Sequence, residues 1–371
     1  MDAAKLKYWI GFNIIQGIGP ARVRRLLSHF GDLEMAWKGT PLDLAAAGLD
    51  RKSIENTLAG RARLDLDVEM EKLARHAVHA LTWEDESYPK TLRPIPGAPP
   101  VLYVLGSLTP EDEWAVAVVG TRRATSYGSE AAGELAGGLA RNRITVVSGL
   151  ARGIDGIAHR AALDAGGRTI AVLGSGVDVI YPPDHVHLAH DVATHGALVS
   201  DYPLGTQPDA RNFPARNRII SGLSLGVLVV EGSEDSGSMI TADYALEQGR
   251  DVFAVPGTIF APRSSGTNRL IQQGAKMVTN VQDILEELNL TQASQQMEVR
   301  SLLPDNPTEE ALLLQLSAEP RHMDEIVRAT GLPTSDVSAT LAMMELKGMV
   351  RQVGNMTYVV AREGSASYRV E

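Results

Sequence analysis

With 371 residues and no cysteine, the chain has no means of forming a disulfide, a thiolate nucleophile or a Cys-ligated zinc or iron-sulfur cluster. Its length suits two or three domains, and no apolar run approaches the roughly 18 to 20 residues of a membrane span, so a soluble multidomain protein is expected. The net charge of −10 opposes the general basicity of many duplex-DNA binders. Any nucleic-acid site must therefore gather its cations within about one Debye length, ~8 Å at physiological salt.

The start, MDAAKLKYWIGFN, has neither a secretory apolar core nor a small-residue cleavage site, which predicts a cytoplasmic protein. Residues 1–85 carry apolar positions at helical spacing in KLKYWIGFNII, ARVRRLLSHFG and VEMEKLARHAV. Within them, Gly17-Ile18-Gly19-Pro20 precedes a helix bearing Arg22, Arg24 and Arg25, the pattern of a SAM- or helix-hairpin-helix-like domain. Such a hairpin either offers its amides to DNA phosphates or only packs within a small bundle, and the pattern alone does not choose.

Residues 86–113 form a Pro-rich connector, densest from Tyr88-Pro89 to Pro100, which cannot continue a helix and is expected to be extended. From 114 to 290, WAVAVVG, ITVVSG, RTIAVLG, GALVSDY, GVLVVEG, DVFAVPG and KMVTN alternate with Ala- and Leu-rich helical segments. Continuous apolar runs of this kind are strands buried on both faces, which predicts a central Rossmann-like α/β domain with a doubly wound, mainly parallel sheet. Residues 291–307 are polar and unpatterned, a linker. Residues 308–371 give three helices and a hairpin turning at Gly354-Asn355, a winged-helix pattern in which Pro333-Thr334-Ser335 opens the would-be recognition helix. That helix offers Lys347 against Asp336 and Glu345, and 308–371 holds six Lys and Arg against nine Asp and Glu. Phosphate contacts dominate DNA affinity, so this domain reads as a protein-interaction or packing element.

Ligands of open parallel sheets bind beyond the carboxyl ends of the strands, where strand order reverses. Here the strands end in Gly120-Thr121-Arg122-Arg123, Gly149-Leu150-Ala151-Arg152-Gly153 and Gly174-Ser175-Gly176. Glycine and small hydroxyl residues before a helix start expose backbone donors to an anion, and two of these loops add arginine. The stretch starting at Gly174 lacks the third glycine of a dinucleotide fingerprint, and neither a P-loop nor a GxSxG elbow occurs. No cofactor is expected. His185, His187 and His190 follow a Pro-Pro turn without a metal-ligand motif and are expected at the surface or at a helix start. The cation concentration that the acidic total demands appears in Arg211-Asn212-Phe213-Pro214-Ala215-Arg216-Asn217-Arg218, where three arginines surround one aromatic ring. Cations for the backbone and a ring for stacking are what single-strand binders combine.

These loops, with FPARNRIISGLS, VVEGSEDSGSMITADYALEQGRDVFAVPG and GTNRLIQQGA, resemble the bacterial DNA-processing protein A (DprA/Smf) family over roughly residues 88–290. The resemblance implies a non-enzymatic protein that binds single-stranded DNA, works alongside single-strand-binding protein and loads the RecA recombinase during natural transformation. It implies a homodimer formed through the Rossmann-like domain. By motif position it places Arg122 and the Phe213 to Arg218 segment in a DNA pocket, with Gly120, Thr121 and Gly149 as backbone-amide contacts. Two other readings compete: a phosphoribohydrolase-like enzyme using a carboxylate of Glu231-Gly232-Ser233-Glu234-Asp235-Ser236-Gly237-Ser238, and a dimeric scaffold without direct DNA contact.

Overall fold

Nine strands make the main sheet: β1 (Val78–Thr82), β2 (Val101–Gly106), β3 (Ala115–Val119), β4 (Thr145–Ser148), β5 (Thr169–Val172), β6 (Ala197–Ser200), β7 (Gly226–Val229), β8 (Asp251–Ala254) and β9 (Lys276–Met277). The computed structural model describes residues 3–290, 306–317, 320–346, 349–354 and 356–360. The chain divides into two compact units, Met1–Leu288 and Asn289–Glu371.

Strand order is β1-β2-β6-β5-β4-β3-β7-β8-β9. Pairing is antiparallel from β1 to β2 and from β2 to β6, and parallel everywhere else in the sheet. β3 to β7 are buried along their whole length, which is why they read as continuous apolar runs rather than alternating ones. The chain builds outward from β3 through β4, β5 and β6, then returns by the helix Asn212–Gly222 to place β7 on the other side of β3. That reversal opens a crevice between the loops that follow β3 and β7.

β1 and β2 arise where the sequence pattern suggested helix and connector. β2 joins β6, and its Tyr103 hydroxyl donates to Asn13 Oδ1 at 2.9 Å, while Asn13 Nδ2 donates to the Asp201 carbonyl at 3.3 Å. The amino-terminal helices thus share one core with the sheet, Trp9, Phe12 and Leu26 clustering with Val101, Tyr103 and Leu198. The proline-rich stretch is not extended. It folds in successive turns, with Tyr88, Leu92, Ile95 and Ala98 buried against Ile219, Ile220 and Leu223. Large apolar residues interleaved with its prolines drive that burial, which a solvated junction would lack. The Tyr88 hydroxyl closes the stretch by donating to the Pro99 carbonyl at 2.9 Å.

In the amino-terminal hairpin the three arginines are engaged within the unit. Arg22 donates to the Gly17 carbonyl at 2.7 Å and pairs with Asp50, whose pKa falls to about 2, first through the Ser53 amide and then through Arg22. Arg25 donates to the Gly48 carbonyl at 3.0 Å, and the Arg24 guanidinium lies 5.0 Å over the Trp83 ring.

The second unit has helices Pro307–Leu313, Met323–Thr330 and Thr334–Leu346 and three short strands, β10 (Arg321–His322), β11 (Val350–Gly354) and β12 (Thr357–Val360), ordered β10-β12-β11 and antiparallel throughout. Leu312, Ile326, Val337, Leu341, Met344 and Tyr358 fill its core. This is a winged-helix arrangement. The exposed face of Thr334–Leu346 presents small and polar residues with Met343, and its charges are Asp336 and Glu345. Lys347, Asn355 of the expected turn, and 291–305 of the expected linker lie outside the described residues. No helix among the described residues is long and apolar enough to cross a membrane.

Candidate nucleic-acid interface

The loop after β3 begins at Gly120 because nothing larger fits: a Cβ there would stand 2.6 Å from Ile154 Cγ1 and 2.8 Å from the Glu231 carbonyl. Glu231 follows β7 and is buried, and it ties the two sides of the crevice together. Its carbonyl accepts from the Thr121 amide at 2.7 Å, and its carboxylate accepts from the Thr125 amide at 2.9 Å and from Thr125 Oγ1 at 2.7 Å. Thr125 in turn caps the helix Ser126–Arg141 by accepting from the Gly128 amide.

The loop after β4 packs backbone to backbone on the first. Gly153, at φ 77°, would drive a Cβ to within 2.3 Å of the Thr121 carbonyl, so only glycine closes this contact. Beneath it lies Asp155, whose carboxylate accepts from the amides of Gly149 and Ala151. Burial pushes its pKa up, against the nearby Arg216 guanidinium and these hydrogen bonds. The amides of Thr121 and Gly149, expected to hold phosphate, are thus already engaged by Glu231 and Asp155.

Between these loops and the helix Asn212–Gly222 lies a cleft of about 700 Å³, lined by Gly120, Thr121, Arg122, Arg123, Tyr181, Phe213, Arg216, Asn217 and the Ser233–Ser238 turn among others. A smaller recess of about 240 Å³ continues it past Gly149, Arg152 and Pro182. Phe213 is half-buried at their junction. Its ring lies 5.4 Å from Tyr181, centroid to centroid and tilted by 39°, and the Arg122 guanidinium stands 5.5 Å from its centroid. Gly174 leaves the space, since a Cβ there would meet Phe213 Cδ1 at 3.0 Å. Arg122 and Arg123 are exposed and have no carboxylate partner among the described residues.

Arg216 makes the floor. It is 4% exposed, donates from Nη1 to the carbonyls of Gly149 (2.7 Å) and Val172, and from Nε to Asn217 Oδ1 at 3.0 Å. Burial lowers its pKa to about 10, with Asp155 opposing the shift, so it stays cationic at neutral pH. Asn217 Nδ2 reaches the Gly237 carbonyl at 3.3 Å, joining the floor to the β7 side.

The other expected site residues are placed differently. Arg152 borders the recess but is paired with Asp184 at 2.5 Å on the surface. Arg211 lies outside the lining, its guanidinium bound through Nε and Nη2 to Asp209, whose pKa this contact lowers to about 2. Arg218 points away, bound to Asp201 at 2.6 Å and to the Gly97 and Ala215 carbonyls. His185 lies outside the cleft lining, its Nδ1 donating to the Leu150 carbonyl at 2.9 Å, and His187 and His190 are exposed. Arg123 and the Ser233–Ser238 turn, both within loops that the sequence marks, also line the cleft, and Tyr181 is a lining residue that the sequence pattern does not single out. Tyr181 carried a signal, an aromatic next to proline in the loop after the third parallel strand.

This architecture has relatives. DNA recombination-mediator protein A matches residues 79–289 and the DprA winged helix domain matches 296–356. Protein Smf of Synechocystis is 37% identical over 96% of this chain and 99% of its own, and DNA processing protein DprA of Bacillus subtilis is 41% identical over 72% of this chain and 93% of its own. The X-ray structure of DNA processing protein A from Streptococcus pneumoniae superposes with a TM-score of 0.68 at 37% identity, covering 76% of this chain and 97% of that one. DNA processing protein A from Helicobacter pylori, studied for its single-stranded DNA binding mode, gives a TM-score of 0.52 at 32% identity, with 57% and 95% covered. With a family match over more than half its length and the Synechocystis relative aligned nearly end to end, the chain belongs to the DNA recombination-mediator protein A family, DprA/Smf.

Proposed function

We propose that the cleft beyond β3 and β7 binds single-stranded DNA without sequence preference, and that the protein passes the strand to the RecA recombinase in transformation and recombination. One observation carries the reading: Arg122, with no carboxylate partner among the described residues, stands over the accessible ring of Phe213 at the mouth of a cleft with a cationic floor. A phosphate pairs with the guanidinium and a base stacks on the ring, a combination that carries almost no base information. The Helicobacter relative's single-stranded DNA binding supports the same assignment. Gly120, Thr121, Gly149 and Asn217 then shape the site, and Arg216 supplies its field from below. Arg152 and Arg211 supply cationic charge to DNA only by leaving Asp184 and Asp209, and Arg218 acts by holding the helix.

The protein acts as a holder rather than an enzyme. The buried carboxylate best placed to serve a hydrolase, Glu231, has its oxygens taken by Thr125. Single-strand-binding protein and RecA are the partners this role requires, and a homodimer through the sheet domain is the working assembly. Titrating single- and double-stranded oligonucleotides of equal length across a salt series tests the central claim. Single strands bind far more tightly at every salt concentration; equal affinity, or preference for one duplex sequence, refutes the cleft and points to the winged-helix unit. Incubation with AMP yields no free base.

A further inference from the structure

Between β8 and the helix Ser265–Gln272 the chain runs Gly257-Thr258-Ile259-Phe260-Ala261-Pro262-Arg263. The Ala261 amide donates to the Thr258 carbonyl at 3.1 Å, closing a tight turn with Ile259 and Phe260 at its centre. At 84% and 88% exposure they are the two most exposed large apolar side chains among the described residues. Turn centres ordinarily carry small polar residues, and adjoining exposed apolar side chains mark a contact surface. The turn is anchored at both ends. Asn268 brackets Gly257, accepting from its amide at 3.1 Å and donating to its carbonyl at 3.0 Å, and Ser265 Oγ donates to the Pro262 carbonyl at 2.8 Å.

This turn adjoins the cleft. The Gly232 amide donates to the Arg263 carbonyl at 2.8 Å, and Gly266 packs so closely on the cleft-lining Ser233 that a Cβ would meet its carbonyl oxygen at 2.8 Å. From the β3 side, the Tyr127 hydroxyl donates to the Pro256 carbonyl at 2.8 Å, and the residue stays 52% exposed. A rim therefore runs from Phe213 and Arg122 past Arg123 and Tyr127 to Phe260 and Arg263, across the carboxyl ends of β3, β7 and β8. Arg123 and Arg263 are exposed with no carboxylate partner among the described residues, and in the neighbouring loop Glu234 is neutralised by Arg269 and Glu231 is buried on Thr125, leaving Asp235 as its exposed opposing charge.

We propose that the turn Thr258–Ala261 is a second contact for the same DNA strand: as the strand leaves the cleft, a base stacks on Phe260 and a neighbouring phosphate pairs with Arg263. The proposal rests on the cleft being the single-strand site, and it commits to DNA because aromatic and cation recur together along a rim continuous with that cleft. It explains why an aromatic and an isoleucine are displayed on an anchored frame.

The test titrates the full-length protein with fluorescent oligo-dT from about six to about thirty nucleotides, bracketing the site sizes of single-strand binders. Wild type, Arg122→Ala, Phe260→Ala and Phe260→Tyr are compared. Phe260 is so exposed that its removal leaves the fold intact, which melting verifies. Phe260→Ala leaves the shortest oligonucleotide unaffected and weakens the longest roughly 5- to 150-fold, the value of one stacked base, and Phe260→Tyr restores it. Arg122→Ala weakens every length. If Phe260→Ala matches wild type at all lengths while Arg122→Ala does not, the second contact is refuted and the cleft stands. If wild type binds no length, the cleft reading fails and this one with it. A change in self-association of free Phe260→Ala by sedimentation also overturns the proposal, assigning the turn to an interface between copies.

Discussion

Two regions of the first unit carry glycines followed by arginines, the amino-terminal hairpin and the loop after β3, and they use those arginines in opposite ways. In the hairpin, Arg22 pairs with Asp50, Arg25 binds the Gly48 carbonyl and Arg24 lies on Trp83. In the loop, Arg122 and Arg123 meet no carboxylate among the described residues, and Arg122 faces an aromatic ring at an open cleft. A basic residue beside glycine is therefore not in itself a phosphate site. What decides is whether the guanidinium donors are already satisfied, because an anion must compete with whatever holds them.

The largest effect is expected at Arg216. Replacing it with alanine leaves Asp155 buried without its cation and removes the donor from the Gly149 and Val172 carbonyls, and a loss of roughly 3 to 5 kcal/mol in unfolding free energy is expected. Urea titration measures it. The sign of its pH dependence follows from Asp155, whose folded pKa is raised above the ordinary 3.8 by burial. Such a group disfavours the fold once it must ionise, and without Arg216 its pKa rises further, so the deficit of the variant shrinks as pH falls toward that pKa. A deficit that grows in acid contradicts this account of the floor.

Next in size is Phe213→Ala, expected to weaken single-strand binding by about 1 to 3 kcal/mol with the salt slope nearly unchanged. Circular dichroism and melting must show the variant folded, since the ring also fills space over Gly174. Arg122→Ala gives a smaller and different signature, a salt slope reduced in magnitude by roughly 0.7, the contribution of one phosphate contact on a single strand. If both variants bind like wild type at every salt concentration, the cleft is not the site. Smallest of all is the effect of Arg22→Ala with Arg25→Ala: binding affinity and salt slope stay at wild-type values while the melting temperature falls. A loss of binding in this folded double variant would move the site to the hairpin and erase the contrast.

The parallel sheet was legible because strands buried on both faces leave continuous apolar runs, as β3 to β7 do; all seven runs from 114 to 290 form strands, although Asp251 of β8 and both residues of β9 are exposed. β1 and β2 were not, because His79 and the Pro-rich lead into Val101 mask strands whose pairing depends on distant β6. At the site, the ring and cations of 211–218 were visible as composition but not as geometry. Residues 216 and 218 are two apart on a helix, about 200° around its axis, so one enters the cleft floor while the other faces Gly97 and Asp201. Arg211 precedes the first turn and closes on Asp209 instead. The amides of Thr121 and Gly149 looked free in sequence, and only tertiary contact reveals that Glu231 and Asp155 claim them.

The helix Asn212–Gly222 therefore has two tenants. Its inner face supplies Phe213, Arg216 and Asn217 to the cleft, and its outer face is moored through Arg218 to Asp201 and the turn at Gly97. With the cleft as the proposed single-strand site, a genetic screen for lost DNA handling would recover alleles on both faces and score them alike. Alleles at Asp201 or Arg218 would be conditional, rescued by low temperature or by second-site changes that re-anchor residues 88–100, whereas an allele that deletes the ring of Phe213 has no such remedy. Phenotypic strength along this helix maps posture as much as contact.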